Sequence, residues 1–247
     1  HDSSHTQMVS PTAAGTVYVP LQFFCCRNDG LALPLIALQY HDVRLEFDFS
    51  AAASIASSGT NVSISNTTLL VNYIYLDSEE RKRFAQASHE YLIEQLQFTG
   101  VETVTANSNN KVRLNFNHPV KELVWAVQAD TWGLFDDNTT AGLNSTSDAL
   151  LQLNGHDRFS KESGKFFNYV QTQTHHSRTP SAGINVYSFA LNPEEHQPSG
   201  TCNFSRIDNA TLSVTTTANS GTSMYVYGVN YNVLRVMSGM GGVAYSN

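Results

Sequence analysis

Lys111–Gln128 reads KVRLNFNHPVKELVWAVQ, and the rest of the chain is interpreted outward from it. In its first half Val112, Leu114 and Phe116 alternate with Lys111, Arg113 and Asn115. That is the period of a strand with one buried face. In its second half Leu123, Val124, Trp125, Ala126 and Val127 are apolar without a break, as in a strand covered on both faces. Asn117-His118-Pro119-Val120 separates the two. Pro119 fixes its own φ and pushes His118 towards an extended conformation, so the chain must turn there. Two strands, one tight corner and a buried Trp125 make a piece of β-sandwich. The pattern fits a hairpin inside one sheet and a link between two sheets equally well.

The 247 residues suffice for one large β domain or two small ones. At this length roughly 70–75% of the unfolded surface can be buried, so no disulfide or metal staple is needed. Charged residues make up only 14% of the chain, while Ser, Thr, Asn, Tyr and Phe are plentiful. That suits a β protein with long polar loops better than a helical bundle. The formal net charge of −7, with no run of Lys or Arg, argues against a chain that grips nucleic acid through its phosphates. Cys25 and Cys26 are adjacent, poor geometry for pairing with each other, and Cys202 stands alone. The expectation is buried free thiols in a reducing compartment, with a Cys202 disulfide to one of the pair as the alternative. No CxxC spacing supports zinc. There is no signal-peptide pattern and no apolar run long enough to cross a bilayer. The sequence starts at His1 instead of Met, so its first residue is expected not to be the gene's first.

Residues 1–15 are small and polar and read as a linker. Thr16–Cys26 (TVYVPLQFFCC) reads as a strand, with Pro20 marking an edge or a bulge. Leu31–Leu38 reads as a buried extended loop, and Asp42–Phe49 and Thr67–Leu76 read as strands. Asp77–Glu90 is the best helix. Asp77 can cap it, Glu80 completes a capping box, and Glu79 and Arg83 are spaced for an ion pair. Tyr91–Phe98 reads as a strand and Gly100–Asn110 as a polar loop. Ala129–Ser181 reads as a long irregular segment, a length that normally carries function or contacts. Gly183–Leu191, Ile207–Thr217 and Ser223–Val236 read as strands, and the Gly-rich end lies on the surface or against a partner. Eight or nine strands, one short helix and long loops give an all-β chain, an antiparallel β-sandwich of jelly-roll type. No period of 20–50 residues repeats, which excludes a solenoid or propeller.

The chemistry-bearing patterns are sparse. GxSxG, P-loop and GxGxxG motifs are all missing. His175-His176 and the distant His196 lack metal-ligand spacing, and His1 and His5 sit in a tail without fixed geometry. His118 reads as a corner histidine hydrogen-bonded to backbone. Glu79-Glu80 and Glu194-Glu195 are adjacent carboxylates that point in different directions, whereas a glycosidase needs two facing across a cleft. No catalytic residue, metal or cofactor is therefore assigned. Asn61, Asn66, Asn138, Asn144, Asn203 and Asn209 each begin an Asn-x-Ser/Thr triplet and are candidate glycosylation sites. Trp132 and Phe135 would serve the rival reading of a carbohydrate-binding jelly roll. A β-sandwich hydrolase is the remaining alternative, with no motif behind it.

Five blocks resemble one family. They are Pro20–Phe47 (PLQFFCCRNDGLALPLIALQYHDVRLEF), Asp77–Gly100 (DSEERKRFAQASHEYLIEQLQFTG), Leu114–Gln128 (LNFNHPVKELVWAVQ), Asn185–Leu212 (NVYSFALNPEEHQPSGTCNFSRIDNATL) and Tyr227–Asn247 (YGVNYNVLRVMSGMGGVAYSN). Together they cover nearly half of the chain, in order. They are similar to the major capsid proteins of nucleocytoplasmic large DNA viruses, in particular the algal, phycodnavirus type. The resemblance implies two tandem jelly rolls, a homotrimeric capsomer, and an icosahedral shell laid over an internal membrane. Neighbouring capsomers and minor capsid and penton proteins would be the partners, without direct contact to nucleic acid. The protein would sit in the virion's outer shell and assemble in the host cytoplasm.

On the same resemblance the chain is the second half of a double jelly roll with eight strands. Residues 1–15 would be the linker from a missing N-terminal jelly roll, 16–236 the C-terminal jelly roll and 237–247 a tail. His118, Pro119, Lys121 and Glu122 would fix the corner, with Trp125 as core. The block containing Gly200, Asn203, Arg206 and Asp208 would enter the penultimate strand, and Asn232 belongs to the last. Arg206 and Asp208 would pair with each other or across a subunit interface. In a jelly roll the strands on either side of Asn117–Val120 belong to opposite sheets. The corner is then expected to cross between layers, with Trp125 packed between them.

Overall fold

Residues 18–49, 64, 66–128, 145–180, 182–217 and 223–246 are described by a computed structural model. Two antiparallel sheets enclose one core. The first has the order β1 (His89–Thr103), β10 (Ser223–Met237), β3 (Pro119–Gln128), β7 (Ile184–Ser188); β11 (Met240–Val243) adds to β10 and β8 (Cys202–Asn203) to β3. The second has the order β2 (Asn109–Arg113), β9 (Ala210–Thr216), β4 (Thr146–Leu153), β5 (His156–Asp157), with β6 (Glu162–Ser163) on β4. From β1 to β4, and again from β8 to β10, consecutive strands alternate between the sheets. Four main strands on each side make this a jelly-roll sandwich.

The corner that the sequence left open is a crossing. β2 pairs with β9 in one sheet and β3 pairs with β10 and β7 in the other. Val112, Leu114 and Phe116 enter the core, as their alternation requires, together with Leu123, Trp125 and Val127 from the far side of the corner. Trp125 is fully buried and meets Phe167 edge-on at 5.0 Å between ring centroids. His118 departs from expectation. It is not extended but left-handed, at φ 65°. Its backbone N–H donates to Ser205 Oγ and its carbonyl accepts from Phe204 N–H. The surrounding backbone therefore over-determines a conformation that costs a non-glycine residue about 1–2 kcal/mol.

Several expected elements differ. Tyr18–Phe23 belongs to no strand, and Phe24–Arg27 is a helical turn. Asp42–Phe49 and Thr67–Leu76 pair with nothing among the described residues, and their apolar side chains other than Leu76 are exposed, from Leu45 at 45% to Tyr75 at 92%. Alternation sets two faces, but a strand also needs a neighbour for its N–H and C=O groups. The helix α1 is Ser78–Gln86, shorter than expected. The Asp77–Glu80 capping box is present, but Glu79 pairs with Lys82 instead of Arg83.

β1 runs on to Thr103 through a register shift that contains Gly100, so the expected polar loop is halved. Ala129–Ser181 is far from irregular where it is described. β4 turns at Asn154-Gly155, both at positive φ, into β5, and β6 follows. A π-helical turn, Phe166–Val170, then leads into α2 (Gln171–His175). Its Phe167 plugs the sandwich against Trp125 and Phe159. The C-terminal stretch is a strand, since β11 folds back on β10 through Ser238-Gly239. All three thiols are unpaired, and Cys26 is exposed rather than buried.

Candidate functional site

The described residues concentrate their unusual chemistry on the outer face of the first sheet, around Lys121. The β3–β10 register shifts where Val120 opposes Asn230 and Glu122 opposes Val229. Lys121 is the extra residue of this bulge, and the bulge re-aims its side chain. Only 1% of the residue is exposed. Its Nζ donates to Glu94 Oε1 at 2.6 Å and to the Pro193 carbonyl at 2.6 Å, and lies 5.5 Å from the Tyr231 ring centroid. A buried lysine is tolerated only when paired in this way. Glu94 Oε2 in turn accepts from Arg27 Nη1 at 3.2 Å. Burial, with Glu94 and Glu122 nearby, pushes the Tyr231 phenol up, so it stays protonated.

Neighbouring contacts extend the junction. Glu122 Oε2 lies 2.9 Å from His176 Nε2. Ser177 donates its N–H and its hydroxyl to Glu194. Burial raises the Glu194 carboxyl, but the Ser177 bonds and nearby His176 outweigh it and hold the group below the usual carboxylate range. His175 Nδ1 meets the Leu191 carbonyl at 2.8 Å. The loop 191–194 is thus pinned to β3 and to the end of α2.

The remaining sequence-derived residues are dispersed. Pro119 opens β3 opposite Asn203, a first-residue position that tolerates a missing N–H. Gly200 has φ 139°, and a Cβ there would stand 2.9 Å from the Phe189 carbonyl. Cys202–Asn203 and the 3-10 turn Phe204–Arg206 lie on the first sheet before the chain reaches β9, so this block does not run straight into the penultimate strand. Arg206 and Asp208 are both exposed, and no ion pair joins them among the described residues. Asn232 is buried. It donates to Gln95 Oε1 and the Tyr245 carbonyl and accepts from Val233 N–H, tying the C-terminal stretch to β1.

Of the candidate glycosylation sites, Asn61, Asn138 and Asn144 lie outside the described residues, as do Trp132 and Phe135. Asn66, Asn203 and Asn209 are exposed. Asn203 Oδ1 accepts from Ser205 N–H, and Asn209 Oδ1 accepts from the Thr211 hydroxyl. No helix among the described residues is long and apolar enough to cross a membrane.

Among the described residues, two apolar surfaces stand out as exposed. One is the upper half of the same sheet face, where Leu96, Phe98 and Val101 are exposed and Phe98 stacks on Tyr227 at 4.8 Å and on Tyr225 at 5.9 Å. The other is the pair of unpaired segments 42–49 and 66–76. Surfaces of this kind mark places where another protein surface docks. Sequence reasoning missed the Lys121 junction. A Lys inside an apolar strand, VKELVW, was the available signal.

Comparison with known proteins decides what kind of molecule this is. The family profile described as "Large eukaryotic DNA virus major capsid protein" matches residues 80–242, and that described as "Major capsid protein N-terminus" matches residues 2–77. The chain belongs to the major capsid protein family of large eukaryotic DNA viruses. The major capsid protein of Pyramimonas orientalis virus is 50% identical, covering 98% of this chain and 65% of its own length. That of Paramecium bursaria Chlorella virus 1 is 42% identical, covering 93% of this chain and 66% of its own. The crystal structure of PBCV-1 VP54, fitted into a cryo-EM reconstruction of the virophage Sputnik, superposes with a TM-score of 0.73 at 38% identity, over 94% of this chain and 70% of that one. The chain thus spans about two-thirds of the length of these capsid proteins.

Proposed function

We propose that this chain is a structural protein of a large double-stranded DNA virus, the greater part of a major capsid protein whose trimers form capsomers that tile an icosahedral shell. The observation that carries this reading is the likeness to VP54, in sequence and in fold, over almost all of the chain. Its work is burial of surface between copies, not bond chemistry. The open apolar face and the unpaired segments are the surfaces such packing would use. The protein would lie in the virion shell, assembled in the host cytoplasm, beside neighbouring capsomers and minor capsid and penton proteins, with the internal membrane beneath and without touching the genome.

The two profile matches meet between residues 77 and 80, where α1 begins, and every strand of the sandwich lies after that point. In the proposed organisation residues 80–242 are the C-terminal jelly roll of a double jelly roll. Segments 42–49 and 66–76 are strands of the N-terminal one, and their partners lie in the part of the relatives that this chain does not span. Sedimentation of a protein carrying that additional part tests the proposal. A trimer is expected, and a stable monomer at micromolar concentration would count against it.

A further inference from the structure

The chain between Phe24 and Tyr40 forms a strap over the lower half of the first sheet's outer face. At one end Arg27 reaches Glu94, which lies opposite Tyr231 on β10. At the other end Tyr40 N–H donates to the Gly239 carbonyl, and the Tyr40 and Leu38 side chains occupy the space above Gly239 and Gly241. Between the ends Leu31 and Ala37 are buried. The six residue steps from Tyr231 to Met237 along β10 make the strap about 20 Å long at roughly 3.3 Å per residue. The strap belongs to the stretch that matches the N-terminal profile, while everything beneath it belongs to the C-terminal one.

Arg27 is half exposed, whereas Glu94 is mostly buried and Lys121 is wholly buried. An exposed arginine alone would hold the strap weakly. Here the carboxylate it meets is already fixed by a lysine whose donors are taken up by Glu94 and the Pro193 carbonyl, over the face of the Tyr231 ring. We propose that Lys121 is the positioning residue that seats the strap: it holds Glu94 with one oxygen turned out for Arg27, and so docks the N-terminal unit on the C-terminal jelly roll. The lysine of the HPVKEL motif then serves the junction between units, whereas His118 and Pro119 serve the corner.

Hydrogen–deuterium exchange of the whole chain, read by peptide, tests this. In Lys121→Met the amides of Leu31, Ala32, Ala37 and Tyr40 should exchange at least about tenfold faster, while those of β2, β4 and β9 keep their protection. Lys121→Arg should restore much of the strap's protection. Arg27→Gln should loosen the strap in the wild-type background and add little to Lys121→Met, because both act through Glu94. Strap exchange that is unchanged in Lys121→Met overturns the proposal. So does a loss of protection spread evenly over both sheets, since that is loss of stability and not of seating. If Lys121→Met does not fold, Glu94→Gln must loosen the strap selectively, and an unaltered strap in that variant overturns the proposal by itself.

Discussion

Residues 89–243 and the segments 42–49 and 66–76 both carry strand-like sequence, and among the described residues only the first set forms sheets. Val112, Leu114 and Phe116 alternate with polar residues and are buried. Val43, Leu45, Phe47 and Phe49 alternate just as regularly and are exposed. The difference does not lie in the residues. β2 has β9 beside it and the facing sheet above it, whereas segment 42–49 has neither among the described residues. Periodicity reports which faces a segment will have once it is paired, and pairing is a property of the rest of the protein.

Truncations and turns on the two sides of this contrast should behave very differently. Trp125→Ala in the paired region should have the largest effect. It removes a fully buried ring packed on Phe167 and should cost about 3–5 kcal/mol in the midpoint of denaturant unfolding. A cost below about 1 kcal/mol would mean that the core between the sheets is not organised around it. Gly200→Ala combines a positive φ with a close approach to the Phe189 carbonyl, and a loss of about 1–3 kcal/mol is expected in the same measurement. At the boundary, Asp77→Ala removes both accepted hydrogen bonds of the capping box and should cost about 1 kcal/mol, read as a small drop in thermal midpoint. The smallest effect belongs to the unpaired side. Phe47→Ser should change the stability of this chain by less than about 0.5 kcal/mol, because the residue is already about half exposed and has no paired strand beside it among the described residues. The same substitution in a longer protein that supplies a neighbouring strand should be costly, and equal small effects in both would break the contrast.

Much of the sandwich was legible in the sequence because its strands are half-buried and alternate. Lys111–Gln128, Tyr91–Phe98, Gly183–Leu191 and Ser223–Val236 announce themselves. The crossing at Asn117–Val120 was not legible from pattern alone and needed the jelly-roll expectation. Thr146–Leu153 lies inside the segment that reads as irregular, although ALLQL followed by Asn154-Gly155 is a hairpin signal. The polar residues around it and the surrounding aromatic scatter hid it. The left-handed His118 could not be read because its conformation is imposed from Phe204 and Ser205, over 80 residues away.

The candidate site was less legible still. The family resemblance implies a corner role for Lys121 and Glu122, but their partners, Glu94, Pro193 and His176, come from three other segments. A one-residue bulge in β3 decides where Lys121 points, and bulges leave no compositional mark. Arg206 and Asp208 differ again: alternation suggests one shared face, but Arg206 closes the 3-10 turn Phe204–Arg206, and no ion pair joins the two within this chain among the described residues.

Cryo-electron microscopy of the particles formed by the virus that encodes this chain tests the central claim most directly. Copies of the 89–243 sandwich should fit the shell density in threefold-related positions, with residues 42–49 and 66–76 hydrogen-bonded into a second, neighbouring sandwich. A shell that accommodates no copy of the sandwich, or one in which those two segments run unpaired, would contradict it.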